Sequence, residues 1–358
     1  GWVIFTLPRG VNFRLPLPLI PGCAKTDKVE GHKLEIKLTK LHTINGYPID
    51  ADSSRTFKLS YSTNLDKNGN IFILDEQSGS IKVFDSKGKY VLNISRRGLG
   101  PEELEDLDFF YLDNDTVIVI DNRKKMKKFL NTGNFISQSI LNFEKPILNL
   151  SCKVLNDSLM LVSRNTYDKT EDDVIVNSQA LITDRLFNEK KVLYSSTVNI
   201  NEMYLLYLES PESTADKKSI YISKRSKKEY KIDIYDHLGN KSGNIRKNYL
   251  REKFSEDEVN SMSDHIRNFP AYNQLYDYKV SIHALESDKF GNLWVMRETG
   301  YFGQNHEYDI FKDDKLISEC VFENTTGKSA EKSIILGKYL YLLDFDNNLI
   351  DIYDYKFE

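Results

Sequence analysis

The sequence predicts an all-β chain folded as a six-bladed β-propeller, closed by an N-terminal strand and carrying a short helical insertion between blades 4 and 5. Three observations predict it. A short strand motif recurs six times along the 358 residues. Turn-forming residues flank the recurrences. The last unit lacks a fourth strand, and a spare strand stands before the first unit.

In chain order the motif reads NIFILD (70–75), TVIVID (116–121), SLMLVS (158–163), SIYISK (219–224), NLWVMR (292–297) and YLYLLD (339–344). Successive steps between first residues are 46, 42, 61, 73 and 47. Three of these are near the roughly 40–50 residues of one four-stranded blade, and the two long steps imply insertions. Turns such as DKNG (66–69) and DKFG (288–291) precede several copies. Gly and Asn suit such turns because they tolerate positive φ. Blade 1 is expected to run as strands near 57–65, 70–75, 80–85 and 90–95.

Blade 6 has three strands and then ends near Tyr355. The alternating segment HKLEIKLTKL (32–41) is expected to supply its outer strand. Joining the two ends of the chain in one sheet would hide two strand edges. Between blades 4 and 5, Ser255-x-x-Glu258 is a capping box. Val259, Met262, Ile266 and Phe269 follow at helical spacing, so a short amphipathic helix is expected over 254–269.

Composition excludes some functions. The net charge of −4 and pI near 6.0 lack the basic excess a nucleic-acid partner requires. No apolar run reaches the eighteen residues of a membrane-spanning helix. Of the three cysteines, Cys152 and Cys320 sit in apolar strand patterns, where an inert buried thiol is expected. There is no disulfide framework and no CxxC metal signature. Residues 1–31 read as a leader and linker, and 32–358 as the propeller. In the leader, Arg9 and Arg14 and an apolar patch precede Ile20-Pro21-Gly22-Cys23. This pattern looks like a degenerate bacterial lipoprotein signal, with Cys23 as the lipid acceptor. Prolines at 8, 16, 18 and 21 suit it poorly. The plainer reading is a leader with a chance cysteine.

The segments GNIFILDEQSGSIKVFDSKGKYV, GLGPEE and HALESDKFGNLWV carry a resemblance. The chain resembles the six-bladed propeller proteins of Bacteroides-type bacteria, relatives of NHL-repeat propellers, across about residues 32–358. It departs from them where Glu102 replaces a glycine. The resemblance implies an exported protein of the cell envelope, commonly lipid-anchored and mostly without assigned activity. It speaks to fold strongly and to function weakly.

The stretch RRGLGPEELED (96–106) raises the question of an anion cradle. Such a cradle needs a glycine loop opening onto a helix, whereas a strand follows here and no Gly-Lys-Ser/Thr is present. The expected role is a corner from the outer strand of blade 1 to the inner strand of blade 2. Such corners lie on the face where propellers bind ligands. Arg96 and Arg97 stand there with Arg123, Arg164, Lys224, Arg225 and Arg297 from loops after the second strands. Blades 1 and 6 offer Asp75, Glu76, Asp344 and Asp346 instead. An arc of guanidinium groups over blades 2 to 5 would suit an anionic ligand, an acidic glycan or a partner's acidic loop. The plainer reading is that wet loops are charged.

Enzyme chemistry in a propeller channel needs Asp, Glu, Asn or His side chains converging from the inner strands. Only His283 and Asn64 are plausible inward ligands, and the six histidines are scattered. No GxSxG or HExxH motif appears. The expectation is a monomeric, non-catalytic binding or scaffolding propeller without a cofactor, its partner a protein or glycan. The alternative is a metal-dependent hydrolase or lyase with calcium or zinc in the channel.

Overall fold

The computed structural model describes residues 2–6, 12–16, 34–46, 56–58, 62–75, 77–169, 173–261, 277–297, 306–322, 331–344 and 347–358. Its strands form a six-bladed β-propeller. Each blade is an antiparallel sheet, read here from the inner strand outward. Blade 1 is Thr63–Leu65, Ile71–Asp75, Ser80–Phe84 and Tyr90–Ile94, and blade 2 is Leu107–Asp113, Thr116–Asp121, Lys125–Leu130 and Phe135–Ile140. Blade 3 is Ile147–Val154, Leu159–Lys169, Val174–Asp184 and Glu189–Asn199. Blade 4 is Pro211–Ala215, Ser219–Lys224, Tyr230–Asp236 and Lys241–Lys247. Blade 5 begins with Ala284–Ser287, Asn292–Arg297, His306–Lys312 and Lys315–Phe322. A hairpin of Trp2–Thr6 and Asn12–Pro16 extends its outer edge, which places part of the expected leader in strand.

Blade 6 is Glu331–Leu336, Tyr339–Asp344 and Leu349–Phe357, completed by Ile36–Asn45. Phe357 pairs with Ile36 and Leu349 with Asn45, so the ring closes as the sequence predicts. The closing strand starts four residues later than 32–41 and continues through His42, Thr43 and Ile44 past a bulge at Ile352/Tyr353.

The core is divided among the seams. Six buried clusters fill the spaces between neighbouring blades. The one between blades 6 and 1, for example, joins Ile44, Tyr341 and Leu343 to Phe57, Ile71 and Ile73. Both faces of each inner sheet region are therefore covered, which is why Ile71–Asp75 is buried at every position instead of alternating.

One turn recurs at the base of the ring. Asp66, Asp184, Asp236 and Asp288 each accept the backbone N–H groups two and four residues on, and the side-chain amide of the asparagine at the fourth. The third residue takes positive φ: Gly69, Gly239 and Gly291 in three turns, but Phe187 at 65° in the other. Phe187 is held there by burial against the seam of blades 2 and 3.

The two long steps have different causes. The step across blade 3 comes from its second and third strands, eleven residues each against five to seven in the other blades' second and third strands apart from the nine of Leu349–Phe357, and from a helical turn over 200–209. Blade 3 thus stands about 16 Å proud of its neighbours at ~3.3 Å per residue. The step between blades 4 and 5 holds the helix Glu256–Ser261. Its capping box is formed on both sides, Ser255 N–H to Glu258 Oε2 at 2.6 Å and Glu258 N–H to Ser255 Oγ at 3.2 Å. Met262, Ile266 and Phe269 lie outside the described residues, as does Cys23. Cys152 and Cys320 are free thiols, and burial pushes both up.

Candidate functional site

The Gly98-Leu99-Gly100 loop is a corner. Gly98 N–H donates to Leu104 O at 3.0 Å, and Leu104 N–H donates to Arg96 O at 2.9 Å. The loop does bind an anion, and that anion is its own Glu103. Gly100 N–H donates to Glu103 Oε2 at 3.0 Å and Arg96 Nε to Oε1 at 2.9 Å. These bonds, the Gly100 N–H first, hold the Glu103 carboxyl below the usual range. A Cβ on Gly98 would sit 2.0 Å from Glu103 Oε2, so the glycine makes room for that carboxylate.

The remaining arginines are also engaged. Arg97 bridges to Leu104 through its backbone. Arg164 lies inside the long second strand of blade 3, bound to Gln179 at 3.0 Å and Glu189 at 2.9 Å. Arg297 pairs with Glu307 at 2.5 Å and approaches the fully buried Asp309, which Lys247 contacts at 2.9 Å. Of the opposing acids, Asp75 is buried 3.8 Å from Lys82, and Asp344 is buried and accepts from Asn347. Glu76 and Asp346 lie outside the described residues. Asp75 and Asp344 are the last residues of their second strands.

At the channel mouth, the structure gathers Arg225 and His283 with two residues the sequence did not single out, Tyr207 and Glu212. The Arg225 guanidinium lies 4.4 Å from the centre of the Tyr207 ring, donates to Tyr207 O at 2.9 Å and pairs with Glu212. Its Nε donates to His283 O at 3.3 Å. The Tyr207 hydroxyl and His283 Nδ1 share a hydrogen bond of 3.0 Å. Tyr207 belongs to the short helix Leu206–Glu209, a segment without strand or helix periodicity to mark it. Asn64 stands in blade 1 and donates to Phe110 O at 3.3 Å, tying blade 1 to blade 2. His283 and Asn64 are thus in different blades and bound to different partners. Among the described residues no three His, Cys, Asp or Glu side chains come together as cation ligands.

A cavity of about 350 Å³ opens on the same face between blades 2 and 3. Half-buried Phe109, Phe143 and Leu150 and buried Ile147 wall it, and Asp106, Asp108 and Arg123 rim it. Arg123 is held in positive φ at 53°; its N–H donates to Asp108 Oδ2 at 2.6 Å and its Nε to Oδ1 at 3.3 Å. The Arg123 side chain still shows about half its surface to solvent, while its Nη1 donates to Ile147 O at 3.1 Å. Burial pushes the Asp108 carboxyl up, against the pull of Arg123. The projecting strands of blade 3 stand beside this cavity.

This architecture defines a ring of six antiparallel blades. The family model DUF5128, described as a 6-bladed beta-propeller, matches residues 57–222. The chain is similar to a crystal structure from Bacteroides vulgatus in the DUF4221 family, at 14% identity and a TM-score of 0.55, covering 90% of this chain and 99% of that one. It is also similar to a protein of Bacteroides fragilis described as exported, at 14% identity and a TM-score of 0.50, covering 93% and 98%. At this identity the likeness is one of fold. The comparison with curated proteins finds no match. No helix among the described residues is long and apolar enough to cross a membrane.

Proposed function

We propose that this chain is a non-catalytic binding propeller of the bacterial cell envelope, holding an acidic glycan on its channel face in the cavity between blades 2 and 3. The observation that carries the reading is the combination of apolar walls (Phe109, Phe143, Ile147, Leu150) with a half-exposed Arg123 at the rim. Its volume, about 350 Å³, falls within the range of small-ligand clefts. A ligand carboxylate can take the place of Asp108 beside the guanidinium, and a sugar ring can lie on the aromatic wall. The exported Bacteroides fragilis relative supports placement in the envelope. Cys23 is then the lipid acceptor, which fatty-acid labelling of the full chain and of Cys23→Ala would test.

Titration calorimetry with oligogalacturonate, polyglutamate and an uncharged oligosaccharide tests the binding. We expect oligogalacturonate to bind and Arg123→Ala and Phe143→Ala each to weaken it at least ~10-fold, with unchanged circular dichroism. Binding of polyglutamate alone would move the partner to an acidic protein loop. No binding, or equal binding by both variants, overturns the cavity as the site.

A further inference from the structure

At the end of the channel away from the mouth, the inner strands of three blades meet at one amine. Lys153 is the penultimate residue of the inner strand of blade 3. Its Nζ donates to Thr214 Oγ1 of blade 4 at 3.1 Å and to Ser287 Oγ of blade 5. A side chain from blade 3 reaches blade 5 only by crossing in front of the blade 4 inner strand, so the amine lies inside the channel. Ser287 donates its own hydrogen to Ala215 O at 2.6 Å, and Thr214 donates to Ser287 at 3.4 Å. Both hydroxyls are thereby oriented to accept from Nζ.

Lys153 differs from the other enclosed lysines. Lys127 lies 3.0 Å from Asp121, Lys82 lies 3.8 Å from Asp75, and Lys279 lies 2.6 and 2.7 Å from Glu252 and Glu258. Lys153 forms no ion pair among the described residues; its partners are neutral hydroxyls. The nearby carboxylates are occupied elsewhere. Glu286 accepts from Ile335 N–H, Asp216 from Lys218 N–H, Ser219 N–H and the Tyr221 hydroxyl, and Asp288 from its own turn, Trp294 Nε1 and the Tyr355 hydroxyl. Desolvation without a paired charge favours the neutral amine, and burial brings Lys153 down to about 8 against the weaker opposing pull of these acids.

We propose that Lys153 is a carbonyl-reactive amine, which forms an imine with a small aldehyde or ketone entering the channel. The nitrogen lone pair attacks the carbonyl carbon and a C–N bond forms. A proton moves from nitrogen to the carbonyl oxygen, with the Thr214 and Ser287 hydroxyls in reach to carry it. Loss of water leaves the C=N bond, and the same water reverses the step, so no oxidant or reductant is consumed. This site is separate from the cavity between blades 2 and 3 and stands or falls independently of it.

The experiment labels the full chain with glycolaldehyde and cyanoborohydride at pH 7.5 and follows each lysine by peptide mapping. Lys153 should be modified at least ~10-fold faster than exposed Lys217 and Lys218, because burial leaves far more of its amine neutral at that pH. Its rate should level off above about pH 9 while theirs continues to rise, and its advantage should vanish in urea. The comparison is made within the wild-type molecule, so no variant has to fold. Labelling of Lys153 at or below the rate of Lys217 and Lys218, or a rate still rising with theirs above pH 9, overturns the proposal.

Discussion

Lys127 Nζ lies 3.0 Å from Asp121 Oδ2, and both side chains are shut away from water at 2% and 0% exposure. The lysine also donates to Gly100 O and Glu103 O, and Asp121 Oδ1 accepts the Asp106 N–H at 2.8 Å. One buried pair therefore clamps both ends of the corner from blade 1 to blade 2. Asp75 and Lys82 repeat the arrangement in blade 1. Removing one charge strands the other, which costs about 3–5 kcal/mol. Lys127→Met should lower stability to urea by about that amount, and Lys127→Met with Asp121→Leu should recover a large part. A loss in the double variant equal to the sum of the losses in Lys127→Met and Asp121→Leu alone would show that the charges are not coupled.

The Gly98–Glu103 contact predicts a second coupling. Ala at 98 would drive its Cβ into the Glu103 carboxylate, and overpacking of this kind costs about 1–3 kcal/mol. In a Glu103→Ala background the same Gly98→Ala change should cost less than half as much. A double-mutant cycle by chemical denaturation measures the difference, and additive effects would refute the contact.

His306 gives stability a pH dependence. It is buried at 7% exposure, neither ring nitrogen has a hydrogen-bond partner among the described residues, and burial lowers it to about 4. The unfolded chain, titrating near 6.5, binds this proton over the window from about 6.5 to about 4 while the folded chain does not. Stability should therefore fall as pH drops through that window, with a limiting slope of about 1.4 kcal/mol per pH unit from this residue. His306→Phe should flatten the fall between pH 6.5 and 4. An unchanged slope in that variant would assign the fall to carboxylates.

The repeated aspartate turns should differ in weight. Asp288 is buried and receives Trp294 Nε1 at 3.0 Å and the Tyr355 hydroxyl at 2.7 Å, so it joins blade 5 to blade 6 besides closing its turn. Asp236 closes an exposed turn with Leu238 at 70% exposure. Unsatisfied buried donors cost about 1–3 kcal/mol each. Asp288→Ala should therefore lower the thermal midpoint clearly more than Asp236→Ala. The reverse order would contradict the seam role of Asp288.

Much of the ring was legible from residues alone because the second strand of each blade is apolar and the turns around it are chemically distinct. The closing strand was legible from its alternation, and the capping box of Ser255 and Glu258 from its spacing. The inner strand of blade 4, Pro211–Ala215, was not, because PESTA has neither alternation nor β-branched weight. The turn at Phe187 carries no glycine, and only seam packing explains its φ. The arginine face was read by position, whereas the partners of Arg164, Arg225 and Arg297 are set by neighbouring strands and loops that no local pattern reveals. Tyr207 and Lys153 were invisible for the same reason: their roles arise from blades brought together in space.

The pairing of Ile36 with Phe357 also orders events in time. Ile36–Asn45 is synthesised before any blade exists, yet its partner Leu349–Phe357 follows the strands of all five other blades. Five sheets can form as their strands emerge, while this strand waits with both edges open. The ladder that locks the ring is a contact of very high sequence separation, so it belongs to the slow, late part of folding. Until then the seams of blade 6 with blades 5 and 1 remain unfinished, and the waiting strand is the segment most exposed to capture by another chain.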